Sequence, residues 1–385
     1  MTQDEFTVTP YAVQGDVDYD RVLEQFGADD LTEEQRERFP DPVHPLVSRG
    51  IFYGGRDVGE YLDAIESDEQ VSIVTGRGPS GPMHIGHVFP FYLAKYVQEQ
   101  TGAYVFIPMS DDEKYFAKDQ DFEDIQKWTR QNIEEIMAVG FDPERTRIVV
   151  DTADSDVVYP WAAKFAKRYT QSTVDATYGD PENIGLSFYP AVQATHLLLP
   201  QLIHGRHRTM VPIAVDQDPH IRLCRDVAAK EDYDVHKPSA MLSRFFPQLK
   251  GQGGKMSSSD DAPTIFLSDD RDTVRNKIQK YAYSGGQTSV EEHRELGGDP
   301  DVDVAYQLLY YFFERDDEKV KQLADEYRSG ELLTGELKNY AADEVADFLE
   351  AHQARKEDLG SFEEELERYS LTDEERDKLT EDLLY

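Results

Sequence analysis

Short apolar runs recur along the chain, and each ends directly in a polar cluster. "VSIVT" (71–75) leads into the glycine-rich "GRGPSGPMHIGH", and "AYVFIPM" (103–109) into "SDDEK". "RIVV" (147–150) leads into "DTADSD", and "TMVPIAV" (209–215) into "DQDPH". Stretches with helical spacing separate the runs: 85–101 closed by Gly102, 121–139 closed by Gly140, then segments near 160–171 and 190–204. Strand–helix alternation of this kind predicts an α/β unit built on a doubly wound parallel sheet. Ligands of such sheets sit beyond the carboxyl ends of the strands, where all four polar clusters fall. Ordinary solvated loops explain one or two such clusters and strain at four.

After about residue 268 the pattern changes to long helical segments at 270–283, 301–314, 316–329 and 335–357. That predicts three parts: an N-terminal extension over 1–70, with "FPDPVHP" (39–45) as a turn-rich hinge, an α/β unit over 71–268, and an all-helical unit over 269–385. Residues 357–385 hold twelve acidic and three basic residues, which suits a solvated helix or a tail packed back on the α/β unit.

The 385 residues contain no run of about 18 apolar positions, so no membrane span is expected. The first residues, "MTQDEFTVTPYAV", lack the basic and apolar regions of a signal peptide. Cys224 is the only cysteine, which excludes disulfides within the chain and favours a reducing cytoplasm. Net charge changes the picture most: −37, from 77 acidic and 40 basic residues. Such a balance ordinarily argues against nucleic acid, because phosphate binding needs Lys and Arg. With 39% hydrophobic and 11% aromatic residues it does not signal disorder. The composition fits an acid-coated enzyme working in concentrated salt, where at ~1 M the Debye length is only ~3 Å.

The first cluster reads as a strand-to-helix turn whose glycines let backbone approach a ligand. His84 and His87 sit three apart at the helix start and so share a face, with Gly86 keeping that face flat. The helix N-terminus adds partial positive charge suited to phosphate. A metal reading of the His pair lacks a third nearby ligand. "GQGGKMSSSDDAP" (251–263) mimics a phosphate loop but departs from the Walker pattern, since Leu stands at 249 and Met256 follows Lys255. On composition it is equally a flexible linker or a mobile loop that grips an anion.

Taken together, "HIGH" at 84–87 and "KMSSS" at 255–259 resemble the two signatures of class I aminoacyl-tRNA synthetases. The wider likeness is to tryptophanyl-tRNA synthetases of archaeal and eukaryotic type. It is carried by "RGIFYGGRD" (49–57), "DDEKY" (111–115), "AVDQDPH" (214–220), "SGG" (284–286), "EEHRELGGDPDVDV" (291–304) and "LLTGELK" (332–338), in order from about residue 6 to 356. The second signature departs from the family pattern at Ser258, where a second lysine is usual.

The resemblance implies a Rossmann-like catalytic domain, activation of L-tryptophan by ATP with release of pyrophosphate, and transfer to the terminal adenosine of tRNA(Trp). This chemistry needs no nucleophilic side chain, because the substrate carboxylate attacks the α-phosphate itself; alignment and charge stabilisation must do the rest. His84, His87, Lys255 and Ser257 are the expected catalytic residues. Arg77, Gly86, Lys114, Asp216, Met256 and Ser259 are expected around ATP, with Asp216 at a ribose hydroxyl. Mg²⁺ accompanies ATP, with no dedicated protein ligand set visible; "DDE" (111–113) also admits a metal reading. The resemblance instead gives Glu113, with Gln193 and Gln217, to the substrate ammonium. The family places a Tyr and a Gln on the indole N–H, and here those positions are Val74 and Pro108. Arg271, Arg275, Lys277 and Lys280 form a basic island expected to meet RNA phosphates, with a solvated helix face as the plain alternative. The helical unit is implied to read the anticodon, and a homodimer is implied as the assembly. The competing readings are a tyrosine-specific synthetase, a pantothenate-synthetase-like ligase with a "HxGH" element, and a regulatory paralogue with altered specificity.

Overall fold

The computed structural model describes residues 7–9, 12–14, 17–230, 232–255 and 263–384. A seven-stranded sheet organises the molecule. Its order across the sheet is Asp29–Asp30, Phe52–Arg56, Ser239–Ser243, Arg208–Ala214, Val71–Val74, Tyr104–Met109 and Thr146–Val150. The last five of these run parallel. Asp29–Asp30 and Phe52–Arg56 add an antiparallel edge. The four strands predicted from apolar runs are those at the centre and at the far edge. Ser239–Ser243 escaped the pattern because its five residues, SAMLS, hold only three apolar side chains.

The expected boundary near residue 70 does not divide the sheet, since two strands from the first 70 residues extend it. Their short length and paired glycines, FYGGR in one and DD in the other, hid them from a reading based on apolar runs.

Helices cover both faces and create two cores. On one face Ile85–Thr101 and Phe122–Met137 join the helical unit through Ile85, Phe91, Ile133, Leu308 and Val345. On the other, Ser155–Ala166, Ile184–His204 and Asp218–Ala228 bury Phe165, Val192, Leu198 and Ile221. Leu371 and Leu379, from the acidic C-terminal segment, belong to this second core. Trp161 Nε1 donates to the Leu379 carbonyl at 2.8 Å, and the shielded pair Arg147–Glu375 closes at 2.6 Å. The C-terminal helix Asp373–Leu384 therefore packs on the α/β layer.

The helical unit is locked to the sheet by Arg49. Its predicted helix 301–314 is a short α-helix, Val304–Leu308, continuing as a π-turn, Leu309–Phe313. Such a wide turn strains the ordinary carbonyl pairing. Arg49 Nη1 donates to the carbonyls of Tyr310 and Glu314 at 2.9 and 2.8 Å, and its Nε meets Asp317 at 2.7 Å.

Candidate active site

The loops after the two central strands zip together beyond the sheet. Arg77 N donates to the Pro108 carbonyl at 2.9 Å, and Ser110 N returns to the Arg77 carbonyl at 3.0 Å. Contact this close requires glycine. A Cβ on Gly76 would lie 2.5 Å from the Pro108 carbonyl oxygen, and one on Gly78 would lie 2.0 Å from Cε of Lys114. The glycine-rich stretch thus lets two strand-end loops and a lysine stem share one small space.

His84 caps the helix Ile85–Thr101 in an extended conformation. The rings of His84 and His87 stack with centroids 3.4 Å apart and 27° between planes. His84 N donates to His87 Nδ1 at 3.3 Å, which assigns the proton of a neutral His87 to Nε2 and makes that atom a donor. Residues just after the second signature pair back on this segment. Ile85 N donates to the Ile265 carbonyl and Leu267 N to the Met83 carbonyl, both at 3.0 Å. Two segments some 180 positions apart are therefore held side by side.

A cavity of about 330 Å³ opens beyond the strand ends. Val74, Arg77, His84, Gly86, His87, Pro108, Glu113, Lys114, Gln193 and Gln217 all line it. Its polar rim and its apolar wall are distinct. Arg77, His84, His87 and Lys114 supply the rim, while Val74, Pro108, Leu197, Val211 and Ile213 supply the wall. Burial pulls Arg77 down to about 10, so its guanidinium stays charged, and Nε donates to Asn132 Oδ1 at 3.2 Å. Lys114 Nζ pairs with Glu113 Oε2 at 2.7 Å.

Asp216 does not reach the cavity wall. The turn Val215–Gln217 sends Gln217 toward the space and Asp216 inward, where it accepts from Gln217 Nε2 at 3.0 Å. Lys255 ends the strand Gly251–Lys255, whose backbone pairs with Pro247–Gln248. Met256, Ser257 and Ser259 lie outside the described residues. The basic island is occupied from within: Arg271 pairs with Asp347 and Glu350, Arg275 with Asp343, and Lys277 with Asp269. Lys280 meets no carboxylate among the described residues and lies over the Tyr281 ring.

Three groups missed by sequence reasoning stand on the cavity wall: Ser110, Tyr189 and His220. Tyr189 donates to Gln193 Oε1 at 2.6 Å and lies 2.9 Å from Ser110 Oγ. Both oxygens stand as acceptors for the phenol, whose single proton serves one of them at a time. Tyr189, Gln193 and Leu197 form an i, i+4, i+8 stripe on the helix Ile184–His204. His220, pulled down to about 3 by burial, is neutral and bonds the Tyr178 hydroxyl through Nδ1 at 2.6 Å.

Behind Glu113 lies a buried acid cluster. Carboxylate oxygens of Asp111, Asp112 and Asp151 come within 4.8 Å of one another. Most of these oxygens already accept hydrogen bonds: Asp111 from Thr152, Asp112 from Tyr159 at 2.8 Å and from Glu113 N at 2.6 Å. Burial and then Asp151 push Asp112 up to about 8, and burial raises Asp151 as well. The cluster holds protons at neutral pH.

Among the described residues no helix is long and apolar enough to cross a membrane. The family described as tRNA synthetases class I (W and Y) matches residues 66–350. The tryptophan--tRNA ligase 2 of Halobacterium salinarum is 55% identical over 379 residues, covering 98% of each chain. The tryptophan--tRNA ligase of Saccharolobus solfataricus is 44% identical, covering 92% of this chain and 93% of its own. Among solved structures, the tryptophanyl-tRNA synthetase of Plasmodium falciparum superposes with a TM-score of 0.84 at 34% identity, covering 94% of this chain and 99% of its own. That of Encephalitozoon cuniculi, bound to tryptophan, gives 0.84 at 32% identity over 93% and 99%. With a family match over residues 66–350 and full-length relatives of one kind, the chain belongs to the class I tRNA synthetases (W and Y), in their tryptophan--tRNA ligase branch.

Proposed function

We propose that the chain activates L-tryptophan with MgATP to tryptophanyl-adenylate and then transfers the aminoacyl group to the terminal adenosine of tRNA(Trp). The observation that carries this reading is the two-part cavity, with a cationic rim at a helix N-terminus beside an apolar wall. The substrate carboxylate attacks the α-phosphate in line; the P–O bond to pyrophosphate breaks, and no side chain enters the covalent chemistry. His87 Nε2–H, Arg77 and Lys114 are placed to hold phosphate oxygens as charge builds. Lys255 is the candidate to follow the leaving pyrophosphate. Glu113 exchanges its Lys114 partner for the substrate ammonium, freeing Lys114 for phosphate.

With Val74 and Pro108 offering no side-chain acceptor, the indole N–H is assigned to the Tyr189 hydroxyl oxygen. With its proton on Gln193, that oxygen keeps acceptor capacity, and Tyr189 lines the cavity. RNA contact by the basic island falls chiefly to Lys280, because its neighbours are engaged by carboxylates. A homodimer is the proposed assembly, checked by light scattering in high salt.

Pyrophosphate exchange with each of the twenty amino acids, run in high KCl, tests the reading. Clear preference for tryptophan is expected. Preference for tyrosine or any other amino acid, or no exchange, overturns it.

A further inference from the structure

A second and larger cavity, of about 1050 Å³, lies where the N-terminal segment, the sheet and the helical unit meet. In a chain of net charge −37 it gathers four arginines: Arg36, Arg49, Arg244 and Arg328. Two of them have no carboxylate partner among the described residues. Arg36 lies against Gly50, and Arg244 sits over the rings of Tyr19 and Tyr53 at 5.2 and 5.6 Å. Two buried polar atoms on the wall also lack a partner: Nη2 of Arg49, whose side chain is 5% exposed, and the hydroxyl of Tyr53. Buried donors left unpaired are uncommon and costly, and they mark where a ligand would bond.

The wall is aromatic as well as charged, with Asp20, Asp30 and Asp301 beside the four arginines and Arg328 paired to Asp301. Tyr306, Tyr310 and Tyr311 face the same space as Tyr19 and Tyr53. Guanidinium groups match phosphate oxygens, and tyrosine rings that line a cavity offer surfaces for bases, so this pairing of chemistries suits a single-stranded nucleotide chain. The cavity adjoins the first, because Arg244 and Phe245 line both.

We propose that this cavity holds the single-stranded 3′ end of the RNA substrate as it turns toward the active site, with phosphates on Arg36, Arg49 and Arg244 and bases against the tyrosines. The proposal rests on the reading above that the chain charges an RNA. A free mononucleotide offers the same chemistry, and the test separates the two.

The test is a cycle of two changes: Arg36→Ala, with Tyr53→Phe as a milder second variant, and removal of the last three nucleotides of the tRNA. Neither variant touches the activation machinery, so pyrophosphate exchange without tRNA should stay at the wild-type level and report an intact fold. Affinity for intact tRNA should fall about tenfold in Arg36→Ala, the size of one charge-assisted hydrogen bond lost. The same variant should bind truncated tRNA no worse than wild type does, a non-additivity expected of groups in contact. Equal losses with intact and truncated tRNA would overturn the proposal. So would a fall in exchange matching the fall in charging, or protection of the cavity by cytidine monophosphate without tRNA competition. Absence of exchange in the wild-type enzyme would instead remove the underlying reading.

Discussion

Tyr189 and Gln193, one turn apart on the same helix, are joined by a 2.6 Å hydrogen bond in which the phenol donates. With its proton given to Gln193, the Tyr189 oxygen has no second one to give. What remains on that oxygen is acceptor capacity, held beside a wall that Val74 and Pro108 leave apolar. An indole N–H buried there without an acceptor would cost ~1–3 kcal/mol. Tyr189→Phe should therefore lower kcat/KM for tryptophan by about tenfold. It should barely change kcat/KM for the isosteric benzothiophene analogue, which has sulfur in place of the N–H. Equal losses for both substrates would show that the hydroxyl only braces Gln193.

Asp112 yields a prediction about pH. Its carboxyl, buried and facing Asp151, is pushed up to about 8 from an ordinary value near 3.8. A carboxyl raised in the folded state keeps its proton while the unfolded chain loses it. Its stabilising contribution is complete below about pH 4 and is lost progressively as pH rises toward 8. Asp112→Asn mimics the neutral form and should flatten the fall in Tm across that window, measured at fixed KCl. A wild-type Tm independent of pH between 4 and 8, or a variant with the same slope, would count against protonated Asp112.

The sequence carried the centre of the molecule better than its margins, for physical reasons. Fully buried parallel strands must be continuous apolar runs, so "VSIVT" and "AYVFIPM" announced themselves. Phe52–Arg56 did not, since two of its five residues are glycines. Cavity residues tied to a motif, such as His84, Glu113 and Gln217, were legible because each abuts a strand end. Tyr189 was not, because the helix was expected to start at Pro190. Proline favours a first turn, yet here Asn183 caps the helix, accepting from Leu186 N at 2.9 Å, and Pro190 lies inside it. An Asn followed by helical spacing through Tyr189 was the available signal. The second cavity was invisible, as its arginines are scattered from 36 to 328 and meet only through tertiary packing.

Lys255 stands at the end of a short hairpin strand paired to Pro247, at the threshold of the serine-rich second signature. A lysine that follows departing pyrophosphate acts when charge develops rather than when ATP binds. Lys255→Ala should lower the adenylation rate by about 10²-fold, near 3 kcal/mol, and leave tryptophan affinity almost unchanged. Stopped-flow adenylate formation and equilibrium binding separate the two quantities. An equal loss in ground-state ATP affinity and in rate would contradict the assignment.

Salt dependence follows from the surface. The chain carries 77 acidic residues against 40 basic ones, and many ion pairs, such as Arg38–Asp63 and Arg271–Glu350, lie near solvent where each contributes little. The C-terminal helices begin with acidic turns, Glu363–Glu365 and Asp373–Glu375; Glu363 and Glu375 are paired with Arg130 and Arg147, while the carboxylates crowded beside them repel close to a tertiary contact. At ~0.1 M salt the Debye length is ~10 Å and neighbouring carboxylates repel across it; at ~1 M it is ~3 Å and they scarcely do. Tm and tryptophan-dependent exchange should both rise steeply between 0.1 and 1 M KCl, taking ~1 M as the screening threshold. Sucrose at matched water activity should not replace the salt, because it stabilises by exclusion without screening charge. Full activity and a complete melting transition at ~0.1 M KCl would overturn the screening account. Equal rescue by sucrose would assign the effect to general burial instead.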